Sequence, residues 1–497
     1  MSVLQQLRDL LRLRSLQLLA IASMLAGLAS LSFTANTAIL DPDLWWHLKV
    51  GDWIVQHHAV PHVGIFSRTA AARPWIAYSW GYEVLFSRAY AALGLIGIAG
   101  FGIAVTIGVA CTLFWALHRL SGRFWIAWIL CTAGCCAFLF SLYPRPVFFS
   151  MALFGAMLTL LLEANRTSRV ALLYWLPAIF LLWANVHIQF IYGLVVLALF
   201  LGVNLVQRAA ASAGVAHFVP PTISAVTLLG VFIACVLAGC VGPYSYHLYE
   251  VVLAYSRSRV AYTYIQELQA LDFASFPDYI LLLLIAAAFF AVGWRKDLDL
   301  FKLSLLVIGS LCAFRTSRDA WFAAISATAC LADLPAREDY RPSPFKLPEL
   351  TAVGATVAVF LLLLAHNTGF NARAIDRYIS AEFPVDAVNF IRKNPVPGPL
   401  YNYLDWGGFL IWYMPNYPVA IDGRNDLYGD EMDLAHFRSA RGDYDSDPFL
   451  KEAGLVLLPK RIPLAGLLTV DPRFRVIYQD QLAIAFAREQ ELRSVPQ

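Results

Sequence analysis

Long apolar runs, each closed by charged or turn-forming residues, recur over the first three quarters of the 497-residue chain. A helix needs roughly 17–25 such residues to cross a bilayer. Runs near that length fall at about 16–40, 93–117, 124–142, 146–164, 170–187, 190–207, 222–241, 277–293, 300–315, 319–334 and 349–367. The pattern predicts a polytopic α-helical membrane protein of about 11 spans, with residues 1–367 as its transmembrane domain. Between the first two runs lies Asp41-Pro42-Asp43-Leu44-Trp45-Trp46-His47-Leu48-Lys49. A helix over Leu44–His57 would put Asp43 and His47 on one face, four residues apart. Trp45, Trp46 and Trp53 carry the amphipathic rings that favour a headgroup layer.

After about residue 367 the pattern changes. Short β-rich runs at 400–403, 419–421, 455–458, 474–478 and 482–486 alternate with polar segments and with helical stretches at 385–392 and 431–440. This alternation predicts a small α/β domain over 368–497. Two polar strings follow strands directly, Asp405-Trp406-Gly407-Gly408 and Asp422-Gly423-Arg424-Asn425-Asp426. Loops at the carboxyl ends of strands are where such sheets usually hold ligands.

Composition narrows the class. With 59% hydrophobic and 14% charged residues, and a mean hydropathy of +0.61, the chain is no ordinary soluble globule. A net charge of +3 is too small to argue for nucleic acid. Arg8, Arg12 and Arg14 form a basic lead-in to a retained anchor, and basic residues recur at alternate turns: Arg119 and Arg123, Arg166 and Arg169, Arg208, Arg295 to Lys302, then Arg337, Arg341 and Lys346. The positive-inside rule therefore puts the N-terminus in the cytoplasm, and loops 41–92 and 242–276 and the C-terminal domain outside. In a bacterium that is a multi-pass inner-membrane protein with a periplasmic domain. None of the eight cysteines forms a CxxC pair, so they read as small packing residues.

The outer face collects ionisable groups near membrane depth, where they are costly and point to function. Asp41, Asp43 and His47 come from the first loop, Glu267 from Tyr264-Ile265-Gln266-Glu267-Leu268-Gln269, and Arg315 and Arg318 flank a late turn. Carboxylates from separate loops suit a hard cation such as Mg²⁺ or Mn²⁺. Guanidinium groups match phosphate oxygens bidentately. The structural alternatives are a helix cap for Glu267 and snorkelling for the arginines. His57, His58 and His62 with Asp52 fit no common zinc spacing and read as a wet loop. In Trp183-Ala184-Asn185-Val186-His187, interhelical hydrogen bonding competes with lining of a donor cavity.

These residues resemble a family. The string DPDLWWHLK resembles the first outer loop of oligosaccharyltransferase catalytic subunits, with Asp43 in the place of the metal-binding acid and His47 four residues on. YIQELQ resembles that family's later outer-loop motif, which makes Glu267 the second metal-site acid. YLDWGGFLIWY followed by VAIDGRNDLYG is similar to the motif of its soluble domain, and Arg315-Thr316-Ser317-Arg318 is similar to a basic pair that contacts the lipid-linked donor. The chain departs from the pattern at 143–150, where the family's second-loop acid has no counterpart. DWGG is also not the full acceptor-reading motif, so recognition of an Asn-x-Ser/Thr sequence is not implied. The resemblance implies a GT-C glycosyltransferase architecture.

The expected activity is transfer of a sugar from a polyprenyl-phosphate-linked donor to a periplasmic glycan, lipid or protein acceptor. In that scheme Asp43 binds metal or acts as base, Glu267 assists, and His47 orients the site. Arg315 and Arg318 stabilise the departing phosphate, and Asp405, Trp406, Asp422 and Arg424 hold the acceptor. The competing classes are a non-catalytic flippase of lipid-linked saccharides and a scaffold subunit of an envelope assembly.

Overall fold

A computed structural model describes residues 13–34, 37–138, 145–214, 218–219, 221–258, 260–334, 345–445 and 447–489. Arg8, Arg12, Tyr143, Pro144, Arg337 and Arg341 lie outside the described residues. The chain divides into two compact units. One comprises Met1–Thr37, Phe101–Ser245 and Glu267–Gly369; the other comprises Ala38–Gly100, Tyr246–Gln266 and Phe370–Gln497. The residues read as a first outer loop, and part of the second, therefore fold with the C-terminal residues.

The first unit is built of helices joined by short non-helical segments among its described residues, and each apolar run of the sequence overlaps a helix. Among the described residues of the chain, six helices are long and apolar enough to cross a membrane: Arg14–Ser32, Trp80–Ser121 (whose residues up to Gly100 belong to the second unit), Val147–Thr167, Phe190–Ser212, Phe276–Gly293 and Leu347–Asn367. Phe124–Ala137, Val170–Val186 and Ala225–Gly239 are apolar but shorter. Trp80–Ser121 breaks its helical geometry at Leu93 and Gly94, the latter at φ 59°, a conformation open to glycine. The helix Ala320–Ala332 is buried at nearly every position because its sequence, AWFAAISATACLA, is mostly small. Small side chains let neighbouring helices approach closely when no water drives their association.

Several charges in this unit sit near helix ends and are paired. Arg14 meets Glu349 at 2.8 Å, Arg166 and Lys302 each meet Asp333 at 2.8 Å, and Arg119 donates to Glu163 at 3.0 Å. Several basic residues that mark turns in the sequence are thus held against carboxylates. Asn185 Nδ2 donates to the carbonyls of Leu181 and Val241 at 2.8 Å, and Trp183 Nε1 donates to Ser150 Oγ at 2.7 Å. Ser150 Oγ also lies 2.7 Å from His187 Nδ1, so the Trp-Ala-Asn-Val-His string makes interhelical hydrogen bonds.

The second unit is built on a four-stranded sheet: β1 (Leu400–Asn402), β2 (Leu455–Pro459), β3 (Phe474–Gln479) and β4 (Ala483–Arg488). Its order is β1-β2-β4-β3, with β1 parallel to β2 and the other neighbours antiparallel. Every residue of β2 is buried, as a central strand covered on both faces requires. Val456, Leu458, Ile484 and Phe486 form a core with Leu464 and Leu468 of a flanking helix. The run at 419–421 makes an isolated parallel bridge, Val419 to Ser67, in place of a fifth strand.

Helix Leu44–His57 forms with the bounds its sequence predicts, and it belongs to this unit. Its tryptophans differ from expectation. Trp45 is 0% and Trp46 6% exposed, so neither is a headgroup anchor. Trp45 packs edge-on against Phe383, Phe409 and Tyr413 at centroid distances of 5.8, 5.5 and 5.3 Å. Asp405-Trp406-Gly407-Gly408 also departs from the expected turn, since it opens the helix Leu404–Tyr413. Its glycines serve close approach: a Cβ on Gly407 would overlap the Ile421 carbonyl, and one on Gly408 would lie 2.6 Å from the Pro42 carbonyl oxygen.

Candidate functional site

Two polar constellations stand out, one in each unit. In the second unit Asp43 immediately precedes helix Leu44–His57. Its Oδ1 accepts from Trp46 Nε1 at 2.9 Å, and its backbone N–H donates to Asp41 Oδ1 at 3.1 Å. Gly423 lies against that carboxylate so closely that a Cβ there would collide with Asp43 Oδ1. The strings DPDLWWHLK and IDGRNDLYG, nearly 380 residues apart in sequence, therefore meet.

His47 pairs with Glu83. Its Nδ1 lies 3.2 Å from Oε1 of Glu83, and its ring stacks on Trp46 at 3.6 Å. Glu83 is 1% exposed, and its Oε2 has no hydrogen-bond partner among the described residues. A buried carboxylate oxygen without a donor is costly, so such a group marks a site where a proton or ligand would be welcome. Sequence reasoning missed Glu83. The available signal was a lone acid in the Trp80-Gly81-Tyr82-Glu83 start of a long apolar run.

The loop at 422–428 is fixed by a buried ion pair. Arg424 Nε and Nη2 donate to the two carboxylate oxygens of Asp422 at 2.7 Å each, and Tyr428 Oη donates to Asp422 Oδ2 at 2.5 Å. Burial opposes the Arg424 charge, and Asp422 outweighs it, so the guanidinium is held more firmly protonated than usual. Asp422 and Arg424 are 0% and 1% exposed. Buried against each other, the two side chains hold the loop in place. Arg424 also lies 4.8 Å from the Trp75 ring, whose Nε1 donates to Asp426 Oδ2 at 3.1 Å. Burial pushes the Asp426 carboxyl up to about 6, although Arg424 and Trp75 pull the other way. Trp406 is likewise buried, its Nε1 donating to the Glu382 carbonyl at 3.2 Å, while Asp405 is exposed.

In the first unit, Glu267 is held between two arginines. Its Oε2 accepts from Arg145 Nη1 at 2.7 Å, and its Oε1 lies 3.7 Å from Arg318 Nη1. Burial raises the Glu267 carboxyl, but Arg145 and then Arg318 outweigh it, leaving the group below its ordinary range. The Glu267 carbonyl accepts from Ser317 Oγ at 3.0 Å, and Ser317 N–H donates to the Gln269 carbonyl at 2.9 Å. These bonds lace the 267–269 segment to the 316–318 turn. Arg145 stands where the family resemblance would put an acid, and Arg315 is exposed on the same turn as Arg318.

This donor set does not fit the expected cation at Glu267, because two guanidinium groups already flank its oxygens. No group of three or more His, Cys, Asp and Glu residues able to hold a metal occurs among the described residues. Two positive groups around one carboxylate suit a further anion instead.

No protein-family model matches the chain, and no curated protein matches it. Among solved structures, the chain is similar to the crystal structure of ArnT from Cupriavidus metallidurans bound to undecaprenyl phosphate. That similarity has 12% sequence identity and a TM-score of 0.47, and it covers 95% of this chain and 98% of that one.

Proposed function

We propose that the protein is a membrane glycosyltransferase that moves a sugar from a polyprenyl-phosphate-linked donor to an acceptor on the external side of a bacterial inner membrane. The observation that carries this reading is the meeting of Asp43 with the 422–428 loop, beside the buried His47–Glu83 pair. Carboxylates with a histidine and few exposed charges are what proton removal from an acceptor hydroxyl requires. The acceptor oxygen attacks the anomeric carbon as the carbon–oxygen bond to phosphate breaks. The acceptor proton passes to the Asp43 carboxylate, and the bond's electron pair leaves with the polyprenyl phosphate. In the first unit, Arg145, Arg318 and Arg315 supply positive charge of the kind that binds a lipid-linked phosphate, with Glu267 holding the first two in place. Guanidinium groups do here what a divalent cation would otherwise do. Asp405, exposed at the start of its helix, remains the C-terminal candidate for acceptor contact.

The test is release of polyprenyl phosphate by the full chain in liposomes, supplied with undecaprenyl-phosphate-linked monosaccharides and envelope lipids or glycans from a deletion strain. Asp43→Asn should lower kcat by about a hundredfold or more, the usual scale for a lost general base. Arg318→Gln should weaken donor use, and a chelator should leave the rate unchanged. Full activity in a folded Asp43→Asn protein would overturn the assignment. Movement of intact donor between leaflets, with no bond cleaved, would replace it with the flippase.

A further inference from the structure

In the second unit an open cavity of about 390 Å³ is lined by residues 74–76, helix His247–Arg257 and helix Asn425–Ala440. One wall is apolar and aromatic, with Ala254 and Tyr255. The other is acidic. Asp426 lies before the break at Gly429, and Asp430 and Asp433 follow one turn apart, so all three line the same space. Two of these carboxylates are already served. Asp426 accepts from Trp75 Nε1 at 3.1 Å, and Asp430 accepts from Ser258 Oγ at 2.5 Å. Asp433 is different: it is 2% exposed, and its Oδ1 has no hydrogen-bond partner among the described residues. Against three carboxylates the cavity wall offers one basic side chain, Arg257.

We infer that this cavity binds a small ligand through a primary ammonium group seated against Asp433 and Asp430. An ammonium supplies three N–H donors and a positive charge. It would therefore satisfy the orphaned Asp433 oxygen and offset the mutual repulsion of the acids at once. A hydroxyl would supply a donor and no charge. A divalent ion is disfavoured because the three carboxylates are not gathered into a metal-holding group. Tyr255 provides a ring face of the kind that attracts a cation or covers a sugar ring. The site does not depend on the transfer reaction, and its failure would leave that reaction standing.

Two sources share this chemistry, an amino sugar and the ethanolamine headgroup of a lipid. Calorimetric titration of the full chain in lipid nanodiscs separates them, with glucosamine, glycerophosphoethanolamine and N-acetylglucosamine as probes. At least one of the two amines should bind, and the neutral N-acetylglucosamine should not. Binding of glucosamine alone assigns an amino sugar, whereas glycerophosphoethanolamine alone or the stronger of the two assigns a headgroup. Asp433→Asn, which keeps the side chain's shape, should weaken the amine roughly tenfold or more, the scale of one hydrogen bond to a charged group. Asp430→Asn should act in the same direction, and it serves if Asp433→Asn fails to fold. Binding of neither amine, equal binding of N-acetylglucosamine, or undiminished binding by the folded variants would overturn the assignment.

Discussion

Burial raises the Asp433 carboxyl to about 8, with Asp430, Asp426 and Asp422 adding to the effect. Without a bound cation the folded chain thus keeps a proton that an unfolded chain, with an ordinary carboxyl near 3.8, has released, and a seated ammonium would displace it. Stability contributed by this group falls as pH rises from about 3.8 to about 8 and is flat above. His436, on the same helix, is lowered to about 4 by burial despite Asp447. Its contribution therefore rises between about 4 and the ordinary 6.5 and is constant beyond. Above pH 6.5 Asp433 acts alone of the two. Hydrogen exchange in helix Asn425–Ala440 should accelerate between about pH 6.5 and pH 8.5, after correction for intrinsic rates, and Asp433→Asn should suppress that acceleration. Identical pH dependence in both proteins would show that Asp433 is not held protonated. None of this was legible from sequence, where Asp426 belongs to a polar string after a strand and Asp430 and Asp433 carry no signal of burial. Asp43 and Glu267 were legible because acids are rare beside apolar runs. Their partners were not, since Arg145, Glu83 and Gly423 are brought to them by folding alone.

Helices and strands were easier to read than single side chains. Hydrophobic runs located the helices of the first unit, and short β-rich runs located all four strands. Glycine misled the reading at Asp405-Trp406-Gly407-Gly408. There the residue answers a steric demand from Ile421 and Pro42, which local turn rules do not contain. The tryptophans of helix Leu44–His57 misled in the same way, because an aromatic ring suits a headgroup layer and a protein core equally well. The contact of Gly423 with Asp43 makes this concrete. Gly423→Ala should push the Asp43 carboxylate off Trp46 Nε1 and cost about 1–3 kcal/mol of stability, the usual range for overpacking. Transfer should fall with it, while Gly466→Ala, in open space, should leave both unchanged. An unaltered melting temperature and rate for Gly423→Ala would mean that the two strings are not in contact.

At the scale of the whole molecule, the described residues form a mostly helical protein with six helices long and apolar enough to cross a membrane and a mixed four-stranded sheet. Its sequence-level division at residue 367 differs from the two structural units, since residues 38–100 and 246–266 fold with the C-terminal part. A linear reading assigns loops to the helices that flank them, and only tertiary packing reassigns them. Sugar transfer requires the Asp43 constellation and the Arg145–Glu267–Arg318 constellation to work in one external compartment. Single cysteines at the exposed positions Ala72 and Ala270, one in each unit, report on this directly. In spheroplasts, a membrane-impermeant maleimide should label both, above the background of the native chain, before the membrane is permeabilised. Labelling of one only after permeabilisation would put the two constellations on opposite sides of the bilayer and contradict the proposed transfer.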